Sequence, residues 1–130
     1  MLQILARLTA IKGFAKDIHY TADGESFYGI HILMDRVVDG LDDFIDSINE
    51  IVYMGKGLEP PASREVLKYA TAYIPVISDN KGSLSLLDKL IIETIDEINS
   101  YGTEDRAENS LLDSIAQDLR LKHGLVYRSL

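Results

Sequence analysis

The stretch from Glu25 to Met54, ESFYGIHILMDRVVDGLDDFIDSINEIVYM, decides the fold. Its apolar residues Phe27, Ile30, Met34, Val37, Val38, Leu41, Phe44, Ile45, Ile48 and Val52 recur mostly at steps of three and four, the period of one helical face. Read as a single helix it spans about 45 Å at 1.5 Å per residue. Gly55-Lys56-Gly57 ends it, because glycine accepts the left-handed C-cap conformation. Pro60 and Pro61 then forbid continuation.

A second pattern runs beside the stripe. His31 and Asp35 are four residues apart, as are Asp46 and Glu50, so each pair occupies adjacent helical turns. At about 100° per residue, with Phe27 as zero, the four fall near 40°, 80°, 100° and 140°, while the apolar stripe centres near 320°. They form a polar band along one flank of the stripe, neither inside a bundle nor opposite it. An acidic band of this kind is usually a solvated face, so it is the wider pattern that gives it meaning.

Helical periodicity extends outward in both directions. Met1–Tyr20 carries Leu5, Leu8, Ile11, Phe14, Ala15 and Ile18, and Thr21–Glu25 is the break. A short helix is expected over Ser63–Tyr73, bounded by Pro75, with Ser78–Gly82 as a polar loop. A third long helix is expected over Leu84–Ser100 and a fourth over Glu104–Arg128, the latter on Leu111, Leu112, Ile115, Leu119, Leu125 and Val126. No useful strand-period segment, internal repeat or linker is present. The expectation is an all-α, ferritin-like four-helix bundle in one domain, residues 1–130, with a short extra helix between the second and third. The long second-to-third connection lets those two helices run parallel.

Composition limits the chemistry. The 130 residues carry 13 Lys+Arg against 21 Asp+Glu, a net charge of −8, which disfavours nonspecific grip on nucleic acid or an anionic membrane. There is no Cys, so disulfides, thiolate metal sites and thiol nucleophiles are excluded. No apolar run approaches the roughly 18 residues of a membrane span. The segment Met1–Arg7 lacks a signal peptide's basic region ahead of an apolar stretch, so a cytoplasmic protein is expected. What remains is His, carboxylate and hydroxyl chemistry. Iron suits it: carboxylates stabilise the ferric ion, and imidazole suits both oxidation states.

The whole constellation resembles the Dps family of mini-ferritins. His19 is followed twelve positions on by His31; Asp35 lies four further, and Asp46 and Glu50 lie fifteen and nineteen after His31, each at the family's spacing. Lys16, Gly24 and Phe27 match its neighbouring positions, the segment Met54–Pro60 resembles its turn after the second helix, and the short helix near Ser63–Tyr73 resembles its extra helix. The resemblance covers essentially the whole chain. It implies a ferroxidase centre at a two-fold interface, where His19, His31 and Asp35 of one subunit face Asp46 and Glu50 of another. It further implies di-iron chemistry with peroxide or dioxygen, and iron storage in a homo-oligomeric cage, the family's dodecamer. Lys16 and Tyr20 would stand next to the metal ligands. Glu104, Asp105, Glu108 and Asp113 would line an entry pore, although acids at a helix N-terminus also suit its dipole without further function.

An ordinary intra-bundle di-iron site needs Glu-x-x-His pairs. Lys16, Tyr28 and Arg120 stand three residues before His19, His31 and His123, so no such pair exists. The chain departs from the family in having Tyr20 where Trp is usual. It also lacks a basic tail: Arg120, Lys122, His123 and Arg128 read as a solvated or inter-subunit face, and DNA binding is expected to be weak or absent. His123 reads as structural. Two alternatives stay open: a non-catalytic Dps-like assembly or DNA-protecting protein with a vestigial site, and a site loaded with zinc, which accepts the same ligands.

Overall fold

The computed structural model describes residues 1–130. In chain order the elements are α1 (Leu2–Thr21), α2 (Phe27–Val38), α3 (Leu41–Ser47), a π-helical turn (Ile48–Tyr53), a short 3-10 turn (Met54–Lys56), α4 (Ser63–Tyr73), α5 (Asn80–Ser100) and α6 (Arg106–Tyr127). The second helix of the bundle is thus the composite of α2, α3 and the π turn.

α1 is the most enclosed helix. Its expected stripe Leu5, Leu8, Ile11, Phe14, Ala15 and Ile18 is buried, and so are Ile4, Ala6 and Ala10 on neighbouring faces. The second set is covered because α1 packs against α2, α4 and α5 together. The extra helix α4 therefore closes the side of α1 that the other bundle helices leave open.

Side-chain pairs give the directions of the helices. Going backwards along α1 from His19 to Lys12, the partners go forwards from His31 to Asp42, so α1 and the composite helix are antiparallel. From Arg7 to Asp23 the partners run from Glu93 back to Asn80, so α1 and α5 are also antiparallel. The second and third bundle helices must then be parallel, as the long connection through α4 allows. α6 returns antiparallel to α5, packs on it, and also meets α2 and the π turn. The result is a ferritin-like four-helix architecture.

Three expectations are corrected. The second helix is not continuous: Asp39 leaves the helical region (φ −58°, ψ 128°) and Gly40 takes φ 78°, a left-handed conformation natural to glycine. The break separates the polar band into two segments. The third bundle helix starts at Asn80 rather than near Leu84, because the Asp79 carboxylate accepts the Gly82 N–H at 2.9 Å and caps it, turning the expected loop into a first turn. Lys122 does not lie on a solvated face with Arg120 and Arg128. It is buried in α6, in the row Leu112, Ile115, Leu119, Lys122 and Val126. α6 itself is capped by Asp105, which accepts the Glu108 N–H at 2.9 Å. No helix is long and apolar enough to cross a membrane.

Candidate functional site

His19 lies in the last turn of α1, where backbone carbonyls lack helical partners. His31 lies in the second turn of α2, directly across the short connection. Their rings stack with centroids 3.6 Å apart and planes 22° apart. The hydrogen bonds are reciprocal: His19 Nδ1 donates to the His31 carbonyl and His31 Nδ1 donates to the His19 carbonyl, each at 3.1 Å. A carbonyl only accepts, so each neutral ring carries its proton on Nδ1 and keeps the Nε2 lone pair for a ligand. Orienting a histidine through its other nitrogen in this way is a recurrent feature of metal-binding imidazoles.

Asp35, one turn beyond His31, places Oδ1 3.5 Å from His19 Nδ1 and is half exposed. Phe27 packs against His31 with centroids 5.2 Å apart, and Tyr20 meets His19 edge-on at 5.2 Å. Lys16, one turn before Tyr20, is only partly buried. Thus the structure brings together His19, His31 and Asp35, with Phe27 and Tyr20 around them.

It does not bring Asp46 and Glu50 to them. Asp46 is on α3 and Glu50 on the π turn, and neither has a hydrogen bond or ion pair to His19, His31 or Asp35. Within the chain no group of three or more His, Asp or Glu side chains is placed to hold a metal ion. Imidazole and carboxylate are donor types that suit iron or zinc, but Asp35 lies on the Nδ1 side of His19 and the three residues do not form a metal-binding cluster within one chain.

The surface around this set is apolar and open. Tyr20 is 74% exposed, Tyr28 73%, Ile32 48% and Phe27 40%.

The four acids near the turn into α6 have different settings. Glu104 and Asp113 are exposed and Asp105 is the helix cap. Glu108 is turned inward and only 2% exposed; it accepts from the Thr103 hydroxyl at 2.9 Å and pairs with the Lys56 ammonium at 3.0 Å. That bond to Glu108 holds the Lys56 pKa above its ordinary value. Burial pushes the nearby Tyr53 and Tyr101 hydroxyls up, with the charge of Glu108 adding to it. His123 is structural: its Nδ1 lies 2.6 Å from Oδ1 of the buried Asp88.

Two interactions here escape sequence reasoning. The Lys122 ammonium donates to the main-chain carbonyl of Asp39 and pairs with Asp118 at 2.7 Å. The 3-4 spacing of Lys122 with Leu119 and Val126 is a legible signal, overridden by the residue's charge. The Glu108–Lys56 pair has no local signal, since 52 positions separate the two residues.

Searches against protein-family models and against curated proteins find no match to this chain.

Proposed function

We propose that this ferritin-like chain is a Dps-type mini-ferritin that oxidises ferrous iron at centres shared between two subunits and stores the ferric product inside a homo-oligomeric cage, a dodecamer. The observation that carries the reading is the His19–His31 pair: two rings locked through Nδ1, with Asp35 beside them, on a surface that lacks further ligands of its own. The missing donors would be Asp46 and Glu50 of a second copy, related by a two-fold axis. Such an axis makes the contact self-complementary and forms two centres at once.

The chemistry follows from the donor types. Ferrous ions, the substrate, would be held first by the imidazoles of His19 and His31 with Glu50 from across the interface, since neutral nitrogen tolerates the softer ion. Asp35 and Asp46 would hold a second ion close by. Two ferrous ions together supply two electrons, so hydrogen peroxide plus two protons gives two waters without releasing hydroxyl radical. The carboxylates favour the ferric product by charge. Tyr20, edge-on to His19, would pack beside the centre. The exposed acids Glu104, Asp105 and Asp113 would line the entry route, with the cytoplasm as the compartment; Glu108, expected there too, is withdrawn from it by its burial against Lys56. DNA binding is weak or absent on this reading, because the charge of −8 per chain is multiplied by assembly.

Zinc is the competing ligand, since two imidazoles and a carboxylate also suit it. The decisive experiment is an anaerobic ferrous titration of the purified protein followed by peroxide, with ferric absorbance and light scattering recorded. Fast ferric absorbance from an assembled species supports the reading. A stable monomer at micromolar concentration sinks it. An assembled protein that binds zinc but leaves ferrous iron unoxidised replaces it with the non-catalytic or DNA-protecting alternative.

A further inference from the structure

Lys122 occupies a core position of α6, only 2% exposed, where its neighbours in the row are Leu119 and Val126. A buried ammonium is costly unless fully partnered. One partner is Asp118, one turn earlier on α6, at 2.7 Å. The other is the main-chain carbonyl of Asp39. That carbonyl sits where α2 stops, and no backbone N–H donates to it, because helical bonding resumes only with the Phe44 N–H on Gly40. Lys122 therefore supplies the acceptor's missing donor from a different helix, and α6 also packs on both α2 and the π turn.

The break has a consequence for the ligands. α2 carries His31 and Asp35; the segment after Gly40 carries Asp46 and Glu50. Glu50 lies ten residues beyond the break, on the order of 15 Å along the axis at helical rise. A tilt of about 5° at Gly40 would thus displace it by about 1 Å, and a misplacement of that size can slow a reaction about a hundredfold.

We propose that Lys122 is a positioning residue for the iron-oxidising centre: by holding the Asp39 carbonyl it fixes the angle between the segment bearing His31 and Asp35 and the segment bearing Asp46 and Glu50. This rests on the function proposed above. One subunit's two segments serve two symmetry-related centres, so a single angle governs whether both centres close.

The test compares assembled wild type with Lys122→Met and with Lys122→Met/Asp118→Leu. The double variant leaves no carboxylate unpaired and keeps the site apolar. Assembly is read by light scattering, and ferrous oxidation by peroxide is read for kcat and KM separately. The expected result is unchanged assembly, a KM within about twofold of wild type, and a kcat lowered about tenfold or more. A kcat within about twofold of wild type in an assembled variant overturns the inference. So does failure of both variants to assemble, or an activity loss that only tracks lost assembly, since Lys122 is then a core strut alone. Wild type that oxidises no iron sinks the function itself and the inference with it, whereas an active wild type with indifferent variants sinks the inference alone.

Discussion

His19 and His31 are bonded to each other's backbone: each Nδ1 donates to the other residue's carbonyl at 3.1 Å, and the rings stack at 3.6 Å. One arrangement has two effects. It supplies a donor to the free carbonyl at the end of α1, and it leaves both Nε2 lone pairs for ligand duty.

Removing His31 should therefore cost stability as well as activity. His31→Ala is expected to lose about 1–2 kcal/mol, from the lost bond and the carbonyl left without its donor, together with fast ferrous oxidation. Urea unfolding and stopped-flow absorbance measure the two. Oxidation at the wild-type rate would falsify the assignment of His31 as a ligand.

Glu50 separates the two effects. Its side chain is exposed and makes no hydrogen bond or ion pair in the chain, so Glu50→Ala should change stability by no more than about 0.5 kcal/mol. It should nonetheless abolish fast oxidation, because in the proposed assembly a subunit's Glu50 would complete its neighbour's centre. Co-assembling Glu50→Ala with His31→Ala/Asp35→Ala subunits should restore only the centres where two intact halves meet. A mixture no more active than either parent argues against a shared centre.

Alkaline stability tests the Lys56–Glu108 pair. Lys56 has its pKa raised by Glu108, so its contribution is fully present below the unfolded lysine value and is lost as pH rises through the folded value. The ordinary lysine value is 10.5, so nothing changes near neutrality. Lys56→Met should lower the urea midpoint at pH 7 by stranding buried Glu108, and the gap to wild type should narrow above pH 10.5. A gap that stays constant across that range removes the pair from the stability of the fold.

Phe14 is fully buried at the centre of α1, so Phe14→Ala should cost about 3–5 kcal/mol through lost apolar contact and the cavity left behind. Chemical unfolding gives the value directly. A loss below about 1 kcal/mol means that neighbouring side chains collapse into the space.

DNA should not be retained. A gel shift at low salt with chelator present is expected to show free DNA, because a net charge of −8 per chain repels phosphates. A cage-retaining complex under those conditions contradicts this, whereas one that forms only with divalent metal reflects metal bridging.

The helices and their order are legible in the amino-acid order alone. The 3-4 spacing of Leu5, Leu8, Ile11, Phe14 and Ile18, and of the stripe after Phe27, is a local signal that any helix must obey. The pairing of His19 with His31 is legible only through the family resemblance; the structure brings them together across the short antiparallel connection between α1 and α2. Gly40 and Asp39 read as ordinary members of a continuous helix, since single residues are tolerated there. The Asp39-Gly40 pair is a local turn signal that the surrounding apolar stripe hides, and what the packing of α6 adds is Lys122 on the freed Asp39 carbonyl. Glu108 reads as a surface acid on a helix N-terminus until Lys56, from a turn 52 positions away, neutralises it inside. Spacing specifies which face a residue occupies; the charge a buried site can accept depends on what distant segments bring to it.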